Sequence, residues 1–407
     1  MQHARAARPR PVLRAAGLAA AAVLAFGVAG AAAVYRELQS NVVEIDLTGM
    51  VGDDGARPSQ APPPGDARAG APVNLLVIGS DDRSGENAAL GGANDGMASD
   101  TTILAHVAAD RSRVELVSLP RDLLADRPAC TLSDGTTTPA RPDRQFNEAF
   151  AIGWAEGRDV ESAAACTWTT VESLTGVRLD GLLLVDFVAL RDMVDAIDGV
   201  PICLPTDIDD DDTGLHVKAG AQVFDGTTAV QFARARHGIG DGSDTGRITR
   251  QHDLMAAMAR SVLSQDVLTN PAALFRFAQA ATSSLTASEG FRDLTDLTGF
   301  GLSLRDLRAE RIVFMSMPTG VDPTNENRVV ATDQAAVLWA RIAADQPVGE
   351  SPAPSPPVEP IQPGEPVVPQ PDPPTPPAGT TTPPPVVETP WSPPGGVLTS
   401  ADDSSTC

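Results

Sequence analysis

Residues Ala229–Met258 read AVQFARARHGIGDGSDTGRITRQHDLMAAM. The first part alternates: Phe232, Arg234 and Arg236 fall on one side of an extended segment, and Gln231, Ala233 and Ala235 on the other. A glycine- and aspartate-rich turn, His237 to Gly246, follows. A helical pattern comes next, with Ile248, Met255, Met258 and Val262 on an apolar stripe and Arg247 and Gln251 one turn apart on another face. Three arginines therefore converge where a strand is expected to end and a helix to begin. A helix N-terminus adds partial positive charge and free N–H groups, and guanidinium forks match phosphate oxygens two at a time. In a chain of net charge −23 such clustering is against the grain. It reads as an anion site, most plausibly for phosphate; structural ion pairs with nearby aspartates are the other reading of the same stretch.

Outward from this stretch, the ends of the 407-residue chain differ in composition from its middle. Residues Val12–Tyr35 are almost uninterruptedly apolar, long enough to cross a bilayer of about 30 Å. Arg5, Arg8 and Arg10 precede that span and Arg14 stands at its start, so the basic N-terminus (1–11) is expected in the cytoplasm and the remainder outside, on a single-pass signal anchor. A cleaved signal peptide is the alternative. Residues 36–72 read as stalk and linker, low in complexity from Gly52. Beyond Asp345 the chain changes again: 20 of its 36 prolines lie in the 61 residues from Pro347, which predicts an extended, disordered tail over 346–407. One domain, 73–345, is left to carry the chemistry.

Within it, apolar runs and helical patterns alternate. Val73–Gly79, Thr102–Val107, Arg113–Leu119, Leu179–Val185, Gly199–Leu204 and Glu310–Met317 read as strands. Asn147–Gly157, Val160–Thr175, Phe187–Ile197, Asn270–Leu285, Leu294–Leu307 and Asp333–Ala344 read as helices, and Leu123–Arg144 as a long loop. The fold class is α/β, a sandwich-like arrangement with a central mixed sheet between helices. The first three strands deliver Asp81, Arg83, Asp100, Arg121 and Asp122 at element ends, where charges are solvated, mutually paired or serving a ligand. The acidic run Asp207–Asp212 fails as a calcium loop, because Asp212 replaces the turn glycine and Lys218 the bidentate glutamate. It reads as a solvated loop.

Composition excludes several classes. The acidic excess and the lack of a basic tract argue against nucleic acid. There is no phosphate-binding G-x-x-x-x-G-K-[ST] loop, no G-x-S-x-G elbow and no H-E-x-x-H, and the four cysteines have no zinc spacing. Cys130 and Cys166 bracket an inserted loop and form the preferred disulfide, with Cys203 and Cys407 left open. His106 lies inside a strand and reads as a core or hydrogen-bonded histidine; His237, beside Arg236, is a weak candidate for substrate contact. What remains is carboxylates and arginines without a strong nucleophile. That inventory suits phosphoryl transfer, with aspartates holding Mg2+ and arginines gripping oxygens.

The order of motifs resembles the LytR-CpsA-Psr family. The matching pieces are LLVIGSDDR, SDTTILAHV, VELVSLPRD, FNEAFAIG, CTWTTVESLTGVRLDGLLLVDF, LRDMVDAIDGVPICLP, LHVKAGAQVFDGTTAVQFARAR and GDGSDTGRITRQ, spread in order over Val73–Leu263. The resemblance implies a membrane-anchored phosphotransferase that moves a glycopolymer from a polyprenyl-pyrophosphate carrier onto peptidoglycan during cell wall assembly. It implies Asp81 and Asp100 as Mg2+ ligands, and Arg121, Arg234, Arg236, Arg247 and Gln251 around the pyrophosphate, with Asp244 just ahead of the last pair. Arg83 and Asp122 match further motif positions and join Arg121 as candidate catalytic residues. The general base is open among Asp81, Asp122 and a metal-bound water.

The resemblance also implies a long apolar pocket for the prenyl chain, for which Leu182–Val185 and Leu254–Val262 are candidate walls. In one place the chain departs from the family: Ala98 stands before the Ser99–Asp100 step, where relatives often carry arginine. Rival functions are a lipid-pyrophosphate hydrolase with water as acceptor, and a non-catalytic binder of polyprenyl lipids.

Overall fold

The computed structural model describes residues 33, 35–51, 70–83, 85–91, 97–236, 244–263, 270–283, 285–288, 291, 300–301, 303–349, 391 and 397–400. Its strands begin with β1 (Val43–Ile45), β2 (Val73–Ser80), β3 (Ser99–Val107), β4 (Val114–Leu119), β5 (Leu124–Arg127), β6 (Arg141–Gln145), β7 (Gly181–Val185) and β8 (Val200–Leu204). They continue with β9 (Ile208–Asp210), β10 (Leu215–Val217), β11 (Gly220–Phe224), β12 (Leu285–Ser288), β13 (Ile312–Ser316), β14 (Thr319–Asp322), β15 (Asn325–Ala331) and β16 (Leu398–Thr399). The helices are α1 (Asn87–Gly91), α2 (Glu148–Gly157), α3 (Val160–Thr175), α4 (Phe187–Ala196), α5 (Gly226–Arg234), α6 (Asp244–Leu263), α7 (Pro271–Ser283) and α8 (Asp333–Ala343).

Eight strands form one mixed sheet in the order β1-β12-β7-β2-β3-β4-β13-β16. β2, β3 and β4 are antiparallel neighbours, whereas β7 runs parallel to β2 and β13 parallel to β4. The C-terminal ends of β2, β4 and β7 and the N-terminal end of β3 therefore share one edge, which is where the acidic and basic motifs sit. Period-two alternation divides the sheet's faces. Leu76, Ile78 and Leu104 point into the largest core, with Phe150 of α2, Trp168 of α3 and Leu338 and Trp339 of α8. Val77 and Ile103, paired across β2 and β3, point the other way into a cavity. α4, α5 and α6 close it over a second core containing Val194, Phe232 and Leu254.

Local chemistry explains the helix limits. Asp159, Asp186 and Asp225 each cap a helix by accepting the N–H of a residue three positions on. Gly176 ends α3 with φ of 66°, a left-handed conformation that costs glycine little. Gly153 is required by close approach: a Cβ there would lie 2.4 Å from the Ser162 carbonyl oxygen, so α2 and α3 pack backbone to backbone. Buried His106 bridges Asn74 (2.7 Å) and Asp345 (3.1 Å), as expected for a core histidine, and ties the end of α8 to the sheet.

The structure corrects several expectations. The alternating segment Ala229–Arg236 is not a strand: Gly226–Arg234 is helix α5, started by the Asp225 cap and burying Ala229, Val230 and Phe232. The alternation spans too few residues to outweigh an aspartate cap and a 3.6-residue apolar period. Leu123–Arg144 is not a plain loop, because β5 and β6 form a hairpin within it. The tail is not disordered throughout. Val348 donates its N–H to Glu115 (2.8 Å), Trp391 is buried in the main core, and β16 pairs with β13. Proline content missed the tail's few large apolar residues and the open sheet edge that accepts them. Of the expected pocket wall Leu182–Val185, only Val185 faces the cavity.

The segment read as stalk contributes β1, which pairs with β12. Most of the span 12–35, the linker 52–69, His237, residues 294–299 and 302, and Cys407 lie outside the described residues. Among the described residues no helix is long and apolar enough to cross a membrane. Cys130 and Cys166 are disulfide-bonded, and Cys203 is also in a disulfide rather than a free thiol.

Candidate active site

The cavity beneath α4, α5 and α6 has a volume of about 580 Å³. Its inner wall is apolar: Val77 and Ile103 from the sheet, Phe187 and Leu190 from α4, Val230 from α5, and Leu254, Met255 and Met258 from α6. Its mouth is charged, lined by Asp81, Arg83, Asp100, Arg121, Arg234, Arg236, Arg247 and Gln251. Of the expected apolar walls, Leu254, Met255 and Met258 are there, but Leu182 belongs to the core on the sheet's other face. Only Val185 of Leu182–Val185 reaches the cavity, because strand alternation splits that run between faces.

At the mouth, Asp100 is the hub. One of its carboxylate oxygens lies 3.4 Å from Arg121, 3.6 Å from Arg247 and 3.7 Å from Arg236. Arg247 also donates to the Asp100 carbonyl at 3.1 Å and is itself buried. Three guanidiniums around a single carboxylate concentrate positive charge at Asp100, while Asp186, Asp210 and Asp212 also line the cavity. Asp81 is held by a bidentate pair from Arg83 (2.9 and 2.7 Å), which raises the Arg83 pKa above its ordinary value. Gln251 donates to the Ala233 carbonyl at 3.3 Å, joining α6 to α5.

Arg234 and Arg236 reach the same mouth by a different route from the expected strand. Arg234 is the last residue of α5, where the helix dipole favours a cation. Its guanidinium donates to the carbonyls of Leu90 and Gly91 (2.5 and 3.1 Å) and stacks 4.9 Å from the Phe187 ring centroid. Burial pulls its pKa below the usual arginine range, against the attraction of Asp81 and Asp100. Arg236 lies just past the helix, with its N–H held by the Asp210 carboxylate at 2.8 Å.

Asp210 departs from the solvated run expected over Asp207–Asp212. It is buried, and its other oxygen accepts the N–H groups of Asp212 and Thr213. Its neighbours Asp209 and Asp211 are exposed as expected. The one available signal was Ile208, the apolar interruption that marks β9 beside it.

The structure therefore brings Asp81, Asp100, Arg83, Arg121, Arg234, Arg236, Arg247 and Gln251 to one opening. Asp122 is the exception: it is not among the residues that line the cavity. Asp244 begins α6, and its side chain is not described.

The LytR_cpsA_psr family model matches residues 40–343. The chain belongs to that family. The chain is 30% identical over 279 residues to the cell wall biosynthesis protein LcpA of Corynebacterium glutamicum, covering 64% of this chain and 53% of that one. It is 27% identical over 199 residues to an Enterococcus faecalis protein named polyisoprenyl-teichoic acid–peptidoglycan teichoic acid transferase TagU, covering 49% and 56%. The chain thus spans about half the length of these curated relatives. Among solved structures, a LytR-Csp2A-Psr enzyme from Actinomyces oris superposes with a TM-score of 0.52 at 20% identity, covering 74% of this chain and 96% of that one, a likeness of fold.

Proposed function

We propose that this LytR-CpsA-Psr protein is a transferase that moves a glycopolymer from a polyprenyl-pyrophosphate carrier onto a peptidoglycan hydroxyl during cell wall assembly. The observation that carries the reading is the cavity's two-part lining. An apolar tunnel opening onto clustered arginines suits a ligand with a hydrocarbon tail and a diphosphate head. The names of the relatives supply the acceptor and the polymer class. An N-terminal membrane anchor would hold such a site near a lipid-linked donor and raise the donor's effective concentration.

In this reading the prenyl chain lies along Val77, Ile103, Leu190 and Leu254, and Arg121, Arg236 and Arg247 face the diphosphate. The acceptor oxygen bonds to the sugar-linked phosphorus, and the bond from that phosphorus to the bridging oxygen breaks. Polyprenyl phosphate leaves with the electron pair, and the hydroxyl proton passes to a base. The arginines neutralise charge that grows on the bridging and peripheral oxygens, where fixed cations in a water-poor site act most strongly.

The residues present fit Mg2+. Two carboxylates arrive from adjacent strands, and the buried hydroxyls of Ser80 and Ser99 beside them have no hydrogen-bond partner among the described residues. Asp81 and Asp100 would hold the ion, whose chemistry when bound is to neutralise phosphate oxygens.

The test supplies a lipid-pyrophosphate oligosaccharide with and without peptidoglycan. Polymer-linked product is expected. Free sugar phosphate alone would support hydrolysis, and full biological activity after Asp81→Ala and Asp100→Ala would support a non-catalytic binder. Arg121→Ala, or joint loss of Arg236 and Arg247, is expected to lower turnover at least about 100-fold while the far-UV spectrum stays native.

A further inference from the structure

Of the three groups open as general base, Asp122 has surroundings that decide its role. Both of its carboxylate oxygens are engaged by neighbouring side chains. One accepts Gln145 Nε2 at 2.7 Å and lies 3.7 Å from a guanidinium nitrogen of Arg328. The other lies 3.4 Å from Arg121 Nε. Its backbone carbonyl accepts the Val329 N–H at 3.2 Å, and Leu123 forms a parallel bridge with Val329. Two hairpins far apart in sequence, β5–β6 through Gln145 and β14–β15 through Arg328, thus grip one aspartate.

A general base must come within about 2.6–3.2 Å of the hydroxyl it deprotonates. Asp122 does not line the cavity, whereas Arg121 does. What Asp122 does touch is the Nε side of Arg121, whose NH1 points to Asp100. That 3.4 Å contact is an ion pair rather than a hydrogen bond, so the Asp122 charge biases where Arg121 sits before substrate arrives. A flexible arginine would lose side-chain entropy on binding.

We propose that Asp122 is a positioning residue rather than the base, and that Arg328 belongs to the same apparatus. Gln145 and Arg328 hold Asp122, the Asp122 charge holds Arg121, and Arg121 meets the diphosphate. The β14–β15 hairpin, remote from every sequence motif of the site, becomes a support for the reacting centre. This rests on the diphosphate reading above.

The test uses the full chain and two readouts: affinity for inorganic pyrophosphate by calorimetry, and the pH dependence of kcat with KM for the lipid-linked donor. Asp122→Asn and Arg328→Ala are each expected to weaken pyrophosphate and lower kcat by about 10- to 100-fold, the scale of one charged hydrogen bond. The acidic limb of the kcat profile should stay in place. Arg328→Lys should recover part of the loss, and the double variant should be no worse than Asp122→Asn, because the residues act in series.

Loss of the acidic limb in Asp122→Asn, with pyrophosphate affinity unchanged, would make Asp122 the base and overturn the proposal. Arg328→Ala indistinguishable from wild type in both readouts would also overturn it. A wild-type chain that neither binds pyrophosphate nor turns over donor would instead remove the diphosphate reading, and this inference with it.

Discussion

At the scale of single residues, two neighbours on α6 oppose each other. His252 is buried beside Phe314 and hydrogen-bonded to Ser118 at 2.8 Å. Burial lowers its pKa to about 4, so it is held neutral. Unfolded, it would take up a proton near its ordinary value of 6.5; its contribution is present above that pH and is lost as pH falls toward 4. Asp253 is the reverse. Burial raises its pKa to about 6 in spite of Arg260 and Arg250. Its contribution is full below 3.8 and is lost as pH rises through 6. The two slopes largely cancel between about pH 4 and 6. Asp253→Asn is expected to stabilise the fold at pH 7 by on the order of 1–3 kcal/mol. It should also expose a steeper acid loss due to His252, and urea denaturation at pH 7 and pH 5 checks both.

At the scale of elements, the end of α5 shows how local structure serves the site. The Asp225 cap, the Arg234 side chain on the Leu90 and Gly91 carbonyls, and the Asp210 grip on the Arg236 N–H together aim two guanidiniums. Asp225→Ala is expected to cost about 1 kcal/mol of stability by thermal melting, and to lower turnover more than that loss explains. Gly153→Ala, far from the mouth, tests the opposite case. Its Cβ would meet the Ser162 carbonyl, so about 1–3 kcal/mol or more should be lost with kcat unchanged in the folded fraction. β2, β3 and β4 were legible because each is a largely apolar, β-branched-rich segment bounded by glycine, proline or charge. α5 was not, since Phe232, Arg234 and Arg236 alternate by chance across a helix end. The β5–β6 hairpin was not either: RPDRQ of β6 is exposed and carries no apolar period.

At the scale of the whole molecule, long-range closures hold the domain. The Cys130–Cys166 bond spans 36 residues and is worth about 4 kcal/mol on a chain-entropy model. Cys166→Ala should therefore lower the melting temperature markedly in oxidising buffer. From the other end of the sequence, Trp391 fills the main core and stacks 5.8 Å from Arg341, while β16 covers the edge of β13. Deleting 391–407 is expected to lower stability and raise aggregation at the bared edge, as light scattering on heating would show.

By itself the sequence determined the family motifs, the alternation of strands and helices, and a set of carboxylates and arginines suited to a diphosphate. These are local patterns, set by side-chain chemistry at fixed spacing. Only the tertiary structure decided that Asp100 gathers Arg121, Arg236 and Arg247, that Asp210 is buried rather than solvated, and that Arg328 reaches Asp122. Those contacts join residues from separate elements. Their partners are chosen by how the sheet twists and packs, and neighbouring residues in the chain do not encode that choice.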